Sequence, residues 1–173
     1  MSLAELLCMA VLSVGMSNAD FACYHMDTVV EAAEQSDIDP VVLVALIYIE
    51  SRWNPKAVSR SGACGLTQII PRWSTNKKRS FGERLTCQQL FDPELSIRRG
   101  AKILAYWYHK YGKKRYKIAL CGYNAGFSCK GPDPSSRGRA YAKNVLRRTK
   151  KIKKEIKILR KYEEEMPGCM LYE

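Results

Sequence analysis

The sequence predicts an all-α domain, and three observations carry that expectation. Residues 41–49 (VVLVALIYI) form an unbroken apolar run that starts directly after Asp39-Pro40. Asp92-Pro93-Glu94 opens a second segment, in which Leu95, Ile103, Leu104 and Trp107 are available to a core. Near the C-terminus, Val145, Ile152, Ile156 and Leu159 fall on one stripe at helical spacing. Convincing strand-like alternation is missing throughout.

Taken in order, residues 3–16 (LAELLCMAVLSVGM) are apolar and are followed by Ser17-Asn18-Ala19. Two readings stay open. One is a secretory signal cut after Ala19, although Glu5 and the lack of a positive charge depart from that pattern. The other is an apolar N-terminal helix packed on the domain. The stretch is too short for a comfortable membrane span. Residues 27–36 read as a helix, and a turn leads to Asp39. Asp39 suits an N-cap and Pro40 a first helical turn, so a helix is expected to about Glu50. With no polar face, it reads as buried and central.

Residues 54–70 are rich in Gly, Ser and Pro, and residues 72–90 read as a long polar and basic loop. A helix is expected over 94–111, ended by Gly112, and a short apolar helix over 116–123. A loop over 126–138 precedes a last helix over about 139–163. The boundaries expected are 1–19 for the leader or packed helix, 20–146 for the main domain and 147–173 for a basic helix and tail.

The 173 residues suit one domain with a sizeable core. Charge is distributed unevenly along them. Residues 1–51 contain eight acidic side chains and no Lys or Arg, whereas residues 137–161 contain twelve Lys/Arg against Glu155 alone. That segment therefore carries +11 of the total +12. Seven cysteines are present, at 8, 23, 64, 87, 121, 129 and 169. A cut after Ala19 would leave six, compatible with three disulfides of undetermined pairing in an oxidising compartment. His25 and His109 stand alone and no clustered Cys/His spacing occurs, which argues against a zinc site.

Glu50 is the chemically informative residue. A carboxyl group at the C-terminal end of an apolar helix meets desolvation and the negative end of the helix dipole. Both raise its pKa toward neutrality, the profile of a general acid. No second carboxyl group accompanies it nearby in the sequence: Glu83 lies in the basic loop, and Asp92, Glu94 and Asp133 read as caps or loop charges.

From Glu50 the chain continues ESRWNPKAVSRSGACGLTQIIP, and farther on comes Cys121-Gly122-Tyr123-Asn124-Ala125-Gly126. These segments resemble the soluble lytic transglycosylase catalytic domain. The resemblance rests on Glu50, Ser51, Asn54, Pro55, Ser59, Gly62, Ala63, Gly65, Leu66, Thr67, Gln68 and residues 123–126, and extends over about 38–145. Departures are Ser96 in place of a usual Asn, Ile103 in place of an aromatic, and Cys121-Gly122 in place of small apolar residues.

The resemblance implies a goose-type-lysozyme-like helical fold with a substrate groove, and peptidoglycan glycan strands as the partner. It implies that Glu50 protonates the β-1,4 bond between N-acetylmuramic acid and N-acetylglucosamine. Glu50 then deprotonates the muramic C6 hydroxyl, giving a 1,6-anhydro end without metal or organic cofactor. Ser59 and Tyr123 are implied near Glu50 or the muramic N-acetyl group, Gln68 and Asn124 at sugar amides or orienting the groove, and Gly65 and Leu66 where backbone meets ligand. Trp53 and Trp73 are candidates for sugar stacking, with core packing the competing reading for Trp53.

The basic C-terminal segment has an electrostatic footprint that nucleic acid could share. Its aromatics are sparse, only Tyr141 and Tyr162 at the ends, which disfavours a single-strand binder. A solvated face, or attraction to the anionic bacterial envelope, is the preferred reading. The expected protein is a monomer, exported to the periplasm or outside, or delivered with a virion. Two alternatives are a hydrolysing muramidase of the same fold and a non-catalytic wall- or DNA-associated structural protein.

Overall fold

The computed structural model describes residues 1–71, 83–112, 114–129 and 135–166. Helices α1 (Leu3–Ser13), α2 (Ala19–Tyr24), α3 (Met26–Gln35) and α4 (Pro40–Ser51) form its first half. Then follow α5 (Cys87–Leu90), α6 (Pro93–Tyr106), α7 (Tyr116–Ala125) and α8 (Ser136–Glu165). Among the described residues no β-strand forms; only isolated bridges, Val58 to Cys64 and Cys64 to Ile69, pin the loop after α4. The all-helical expectation holds among the described residues.

Helix α4 runs through the centre, with Val41 through Ile47 all buried. Its start is fixed as its residues predict: the Asp39 Oδ1 accepts from the Val41 N–H at 2.8 Å, and Pro40 occupies the first turn. Its end is set by two consecutive left-handed residues, Arg52 (φ 51°) and Trp53 (φ 61°). This sharp exit turns Trp53 wholly inward. Core packing is thus the role of that indole, while Trp73 lies outside the described residues. Burying side chains of this size stabilises the fold by roughly 1.5–3 kcal/mol each.

Helix α8 packs along α7, α4 and α1. Its 30 residues span about 45 Å. Val145, Ile152 and Ile156 are buried on the stripe that the sequence marks. Two side-chain contacts tie α8 to α4 at the edges: Lys153 Nζ reaches Asp39 Oδ2 at 2.5 Å, and the Arg148 guanidinium lies over the Tyr48 ring at 4.5 Å. The helix begins at Ser136, three residues before the expected start, because the Ser135 side chain caps it by accepting from the Gly138 N–H.

Helix α6 begins at Pro93 with Asp92 capping it, but its last turn, Trp107–Tyr111, widens into a π-helix. Gly122 explains part of this local packing. A Cβ there would sit 2.3 Å from the Trp107 ring, so the missing side chain lets α7 rest on that indole. In the region expected to be a long loop, α5 forms behind a capping box. Thr86 Oγ1 accepts from the Gln89 N–H, and the Gln89 side chain accepts from the Thr86 N–H.

Three disulfides cross-link the domain: Cys8–Cys23, Cys64–Cys87 and Cys121–Cys129. They use Cys8, contrary to the set of six that a cut after Ala19 would leave, and Cys169 lies outside the described residues. Such a cut would remove Cys8 from its partner. It would also uncover the core that Leu7, Ala10 and Val11 help to build. In the structure helix α1 packs on the domain and is bonded to α2 through Cys8 and Cys23. No helix among the described residues is long and apolar enough to cross a membrane.

The bridge across a separation of 15 residues should stabilise the domain by about 3 kcal/mol through loop closure. Replacing Cys8 and Cys23 together with Ser should lower the urea-unfolding free energy by about 2–4 kcal/mol, measured by far-UV circular dichroism.

Candidate active site

Glu50 lies in the last turn of α4, where four elements meet. These are α4 itself, the loop over 54–70, α7 with Tyr123, and the first turns of α8. Its side chain keeps some accessible surface. Even so, desolvation dominates and raises the Glu50 pKa from 4.5 to about 7. Two weaker influences pull the other way: a hydrogen bond from Tyr141 and the positive charge of Arg137. Among the described residues no second carboxylate contributes to this environment. Asp92 instead caps α6, while Asp133 lies outside the described residues.

The hydrogen-bond partner of Glu50 is Tyr141, whose hydroxyl donates to Glu50 Oε1 at 2.6 Å. Tyr141 is a site residue that its sequence position at the edge of the basic segment disguises. A usable signal existed: Tyr141 lies four residues before Val145, at helical spacing from the buried stripe. A phenol on such a face needs a buried polar partner. Tyr123 approaches from α7. Its hydroxyl donates to the Thr67 carbonyl at 2.8 Å and thereby joins α7 to the loop over 54–70. Burial first, and then the proximity of Glu50, raise both phenols well above their ordinary pKa. Both remain neutral donors beside the acid.

The other expected site residues shape the wall of the site. Ser59 Oγ accepts from the Ala63 N–H at 3.0 Å and contacts Ser61 Oγ at 3.0 Å, which closes a tight turn. Gln68 spends its amide on the loop, with Nε2 donating to the carbonyls of Ala57 (3.1 Å) and Gly65 (3.0 Å). These two bonds brace the loop over 54–70 from within. Gly65 has φ +76°, and a Cβ there would lie 2.0 Å from the Leu90 carbonyl oxygen. The glycine therefore lets the loop close onto α5. Leu66 is wholly buried, side chain and backbone alike, and packs into the core behind this loop.

Thr67 is held from behind by Ser96, the residue that stands in place of a usual Asn. Thr67 Oγ1 donates to the Ser96 carbonyl at 2.9 Å, and the Thr67 N–H donates to Ser96 Oγ at 3.2 Å. Ser96 thus keeps a polar tie between α6 and the loop. Gly100 completes the fit, since a Cβ at that position would overlap Thr67 at 2.4 Å. Asn124, beside Tyr123, has a buried Oδ1 with no protein hydrogen-bond partner among the described residues.

The disulfides reinforce the same walls. Cys64 sits within the Gly-Ala-Cys-Gly-Leu-Thr-Gln loop and joins it to α5 through Cys87. Cys121, two residues before Tyr123, joins α7 to the turn Gly126–Cys129. That second bridge lies against the start of α8, where a Cβ on Gly138 would come within 2.8 Å of both sulfurs. A cleft of about 770 Å³ lies elsewhere, between Leu3, the start of α4 and the C-terminal half of α8. None of its lining residues belongs to the Glu50 site.

Fold and site together define a helical, lysozyme-like domain that presents one buried acid between two neutral phenols. Residues 27–146 match the family model described as Transglycosylase SLT domain, and the chain belongs to that family. The soluble lytic murein transglycosylase of Salmonella typhimurium is 34% identical over 108 residues, 61% of this chain and 17% of that protein. The 70-kDa soluble lytic transglycosylase of Escherichia coli superposes with a TM-score of 0.65 at 27% identity, covering 88% of this chain and 29% of that one. An inactive mutant of lytic transglycosylase Slt from Pseudomonas aeruginosa gives 0.68 at 22% identity, with 88% and 30% covered. The chain thus spans under a fifth of the Salmonella relative's length.

Because the folded pKa of Glu50 lies above 4.5, folding favours its protonated form. That contribution is complete below about pH 4.5 and is lost as pH rises through about 7. Above that, the fold carries a poorly solvated anion. Glu50→Gln removes the anion, so at pH 8 it should stabilise the domain by about 1–3 kcal/mol. Chemical denaturation should show the gain shrinking toward zero near pH 5.

Proposed function

We propose that this domain is a peptidoglycan lytic transglycosylase, cleaving the β-1,4 bond between N-acetylmuramic acid and N-acetylglucosamine. The observation that carries the reading is Glu50 itself. It is an acid with a pKa near 7, bonded to Tyr141, with no second carboxylate contributing among the described residues. Membership in the SLT family supports it, as do relatives named lytic murein transglycosylases.

Protonated Glu50 donates to the glycosidic oxygen as the bond to C1 breaks and positive charge develops on the sugar ring. The carboxylate left behind is the base that takes the proton of the muramic C6 hydroxyl. That oxygen closes on C1 of the same sugar, forming the 1,6-anhydro end without water. An attached nucleophile gains effective molarity, worth up to roughly 7–11 kcal/mol in well-oriented cases. Tyr141, neutral throughout, supports the carboxylate between the two proton transfers. Glu50 ends the cycle protonated again, so acid and base work stay with one side chain.

Around that centre, Tyr123 and the loop over 54–70 form one wall of the groove. The unpartnered Asn124 Oδ1 is suited to accept from a sugar acetamido N–H. Ser59, Gln68, Gly65 and Leu66 hold the backbone of that wall in place. The catalytic unit corresponds to 20–146, with the first 19 residues and the basic helix packed on it. Three disulfides suit an oxidising compartment, hence export. The outward cations of α8 suit attraction to an anionic envelope.

Digestion of purified peptidoglycan followed by mass spectrometry tests the reading. Fragments with 1,6-anhydromuramic ends are expected, and Glu50→Gln should release less than a thousandth of the wild-type amount. Reducing ends would instead identify a muramidase, and no release at all would identify a binding protein.

A further inference from the structure

Arg137 is a cation with no evident structural task. It lies in the first turn of α8, four residues before Tyr141, so both side chains project from the same face of the helix. Tyr141 bonds to Glu50, which places Arg137 one helical turn from that contact. Arg137 is exposed. No carboxylate among the described residues pairs with it, whereas Lys153 is matched to Asp39 and Arg98 to Glu31. Its charge nevertheless reaches Glu50 and favours the ionised form of that acid. A positive charge there opposes the protonation on which an acid depends, so its placement calls for a counterpart that arrives with the substrate.

We propose that Arg137 is a substrate-recognition residue that takes a free carboxylate of the glycan strand beside the scissile bond. This rests on the peptidoglycan reading above. Two carboxylates fit the chemistry: the lactyl carboxylate of a muramic residue without its peptide, and a carboxylate on an attached stem peptide. A guanidinium pairs with either through two parallel N–H donors. Pairing has a second effect. Once the substrate anion offsets the Arg137 charge, the pull on Glu50 toward ionisation weakens, and the acid holds its proton more firmly with substrate bound than without. Recognition and arming of the acid are then one event.

The test compares wild type, Arg137→Gln and Arg137→Lys in the full chain on three substrates. These are peptidoglycan with its stem peptides, amidase-stripped glycan strands, and stripped strands whose carboxylates have been amidated. Arg137→Gln should lose at least ten-fold in kcat/KM on one of the two carboxylate-bearing substrates, with Arg137→Lys between it and wild type. The loss should be at least five-fold smaller on the amidated strands. A loss confined to stripped strands identifies the lactyl group, and one confined to peptide-bearing strands identifies the stem. Arg137→Gln should also move the alkaline limb of kcat/KM to higher pH, because removing the cation favours protonated Glu50; a purely structural role would leave that limb in place. Activity within two-fold of wild type on both carboxylate-bearing substrates overturns the proposal, as does an equal loss on amidated strands or an unmoved limb. Strand binding by Glu50→Gln, with and without Arg137→Gln, reads the same contact without turnover. A binding ratio below two there overturns the proposal even if wild type releases nothing, which would separately defeat the peptidoglycan reading.

Discussion

A carboxyl group that must carry a proton at neutral pH has to be kept from water, and yet a substrate must reach it. In this domain both demands fall on the last turn of α4. The helix is apolar and buried from Val41 to Ile47, so its end lies inside the molecule. The turn through Arg52 and Trp53 then reverses the chain and seals the far side with a buried indole. Glu50 stays at the remaining opening, where desolvation raises its pKa and Tyr141 moderates the rise. An isolated carboxylate would be costly in such a place, and a fully exposed one would be ionised and useless as a donor. The bond from Tyr141 occupies the middle ground, because it offsets part of the cost of the anion.

The surroundings serve to keep that opening in shape. The loop after α4 forms no sheet; it buries Ala63, Cys64, Leu66 and Ile69, and specific contacts fix the rest of its course. Gly65 makes room for the Leu90 carbonyl, Gly100 for Thr67, and Ser96 anchors Thr67 by three hydrogen bonds. Gln68 and Ser59 satisfy backbone groups within the loop. Two disulfides act at the same places, one within this loop and one just before Tyr123. The walls that flank Glu50 are thus covalently held on both sides.

Much of this was legible in the sequence, for identifiable reasons. Helix α4 announces itself because Asp39-Pro40 is a strong start and an apolar run leaves no solvent face. Glu50 stands out because it is the first acid after that run. Other features were hidden by physics that a linear reading does not carry. The Thr86/Gln89 capping box is present, but a single turn of helix inside a polar segment gives no periodicity. The π-helix at Trp107–Tyr111 depends on how aromatic rings pack, and neither residue type nor spacing encodes that. Tyr141 was masked by the cations around it, since composition reports the face of a helix that meets water more loudly than the one that meets Glu50. Ser59 and Gln68 belong to the recognised pattern, but their residue types do not say whether a polar group will face ligand or its own backbone. The N-terminal segment is ambiguous in the sequence because leader peptides and packed apolar helices share a composition, and the bond from Cys8 to Cys23 is a feature that composition does not announce.

In the proposed mechanism acid and base work fall on one side chain, and the contacts around it brace the site. The central claim is that Glu50 keeps its proton into the neutral range because it is buried. A carbon-13 NMR titration of the Glu50 side-chain carboxyl, assigned by comparison with Glu50→Gln, measures this directly. A midpoint of about 7 is predicted. A midpoint near 4.5 would show a solvated, ionised carboxylate and would contradict the account.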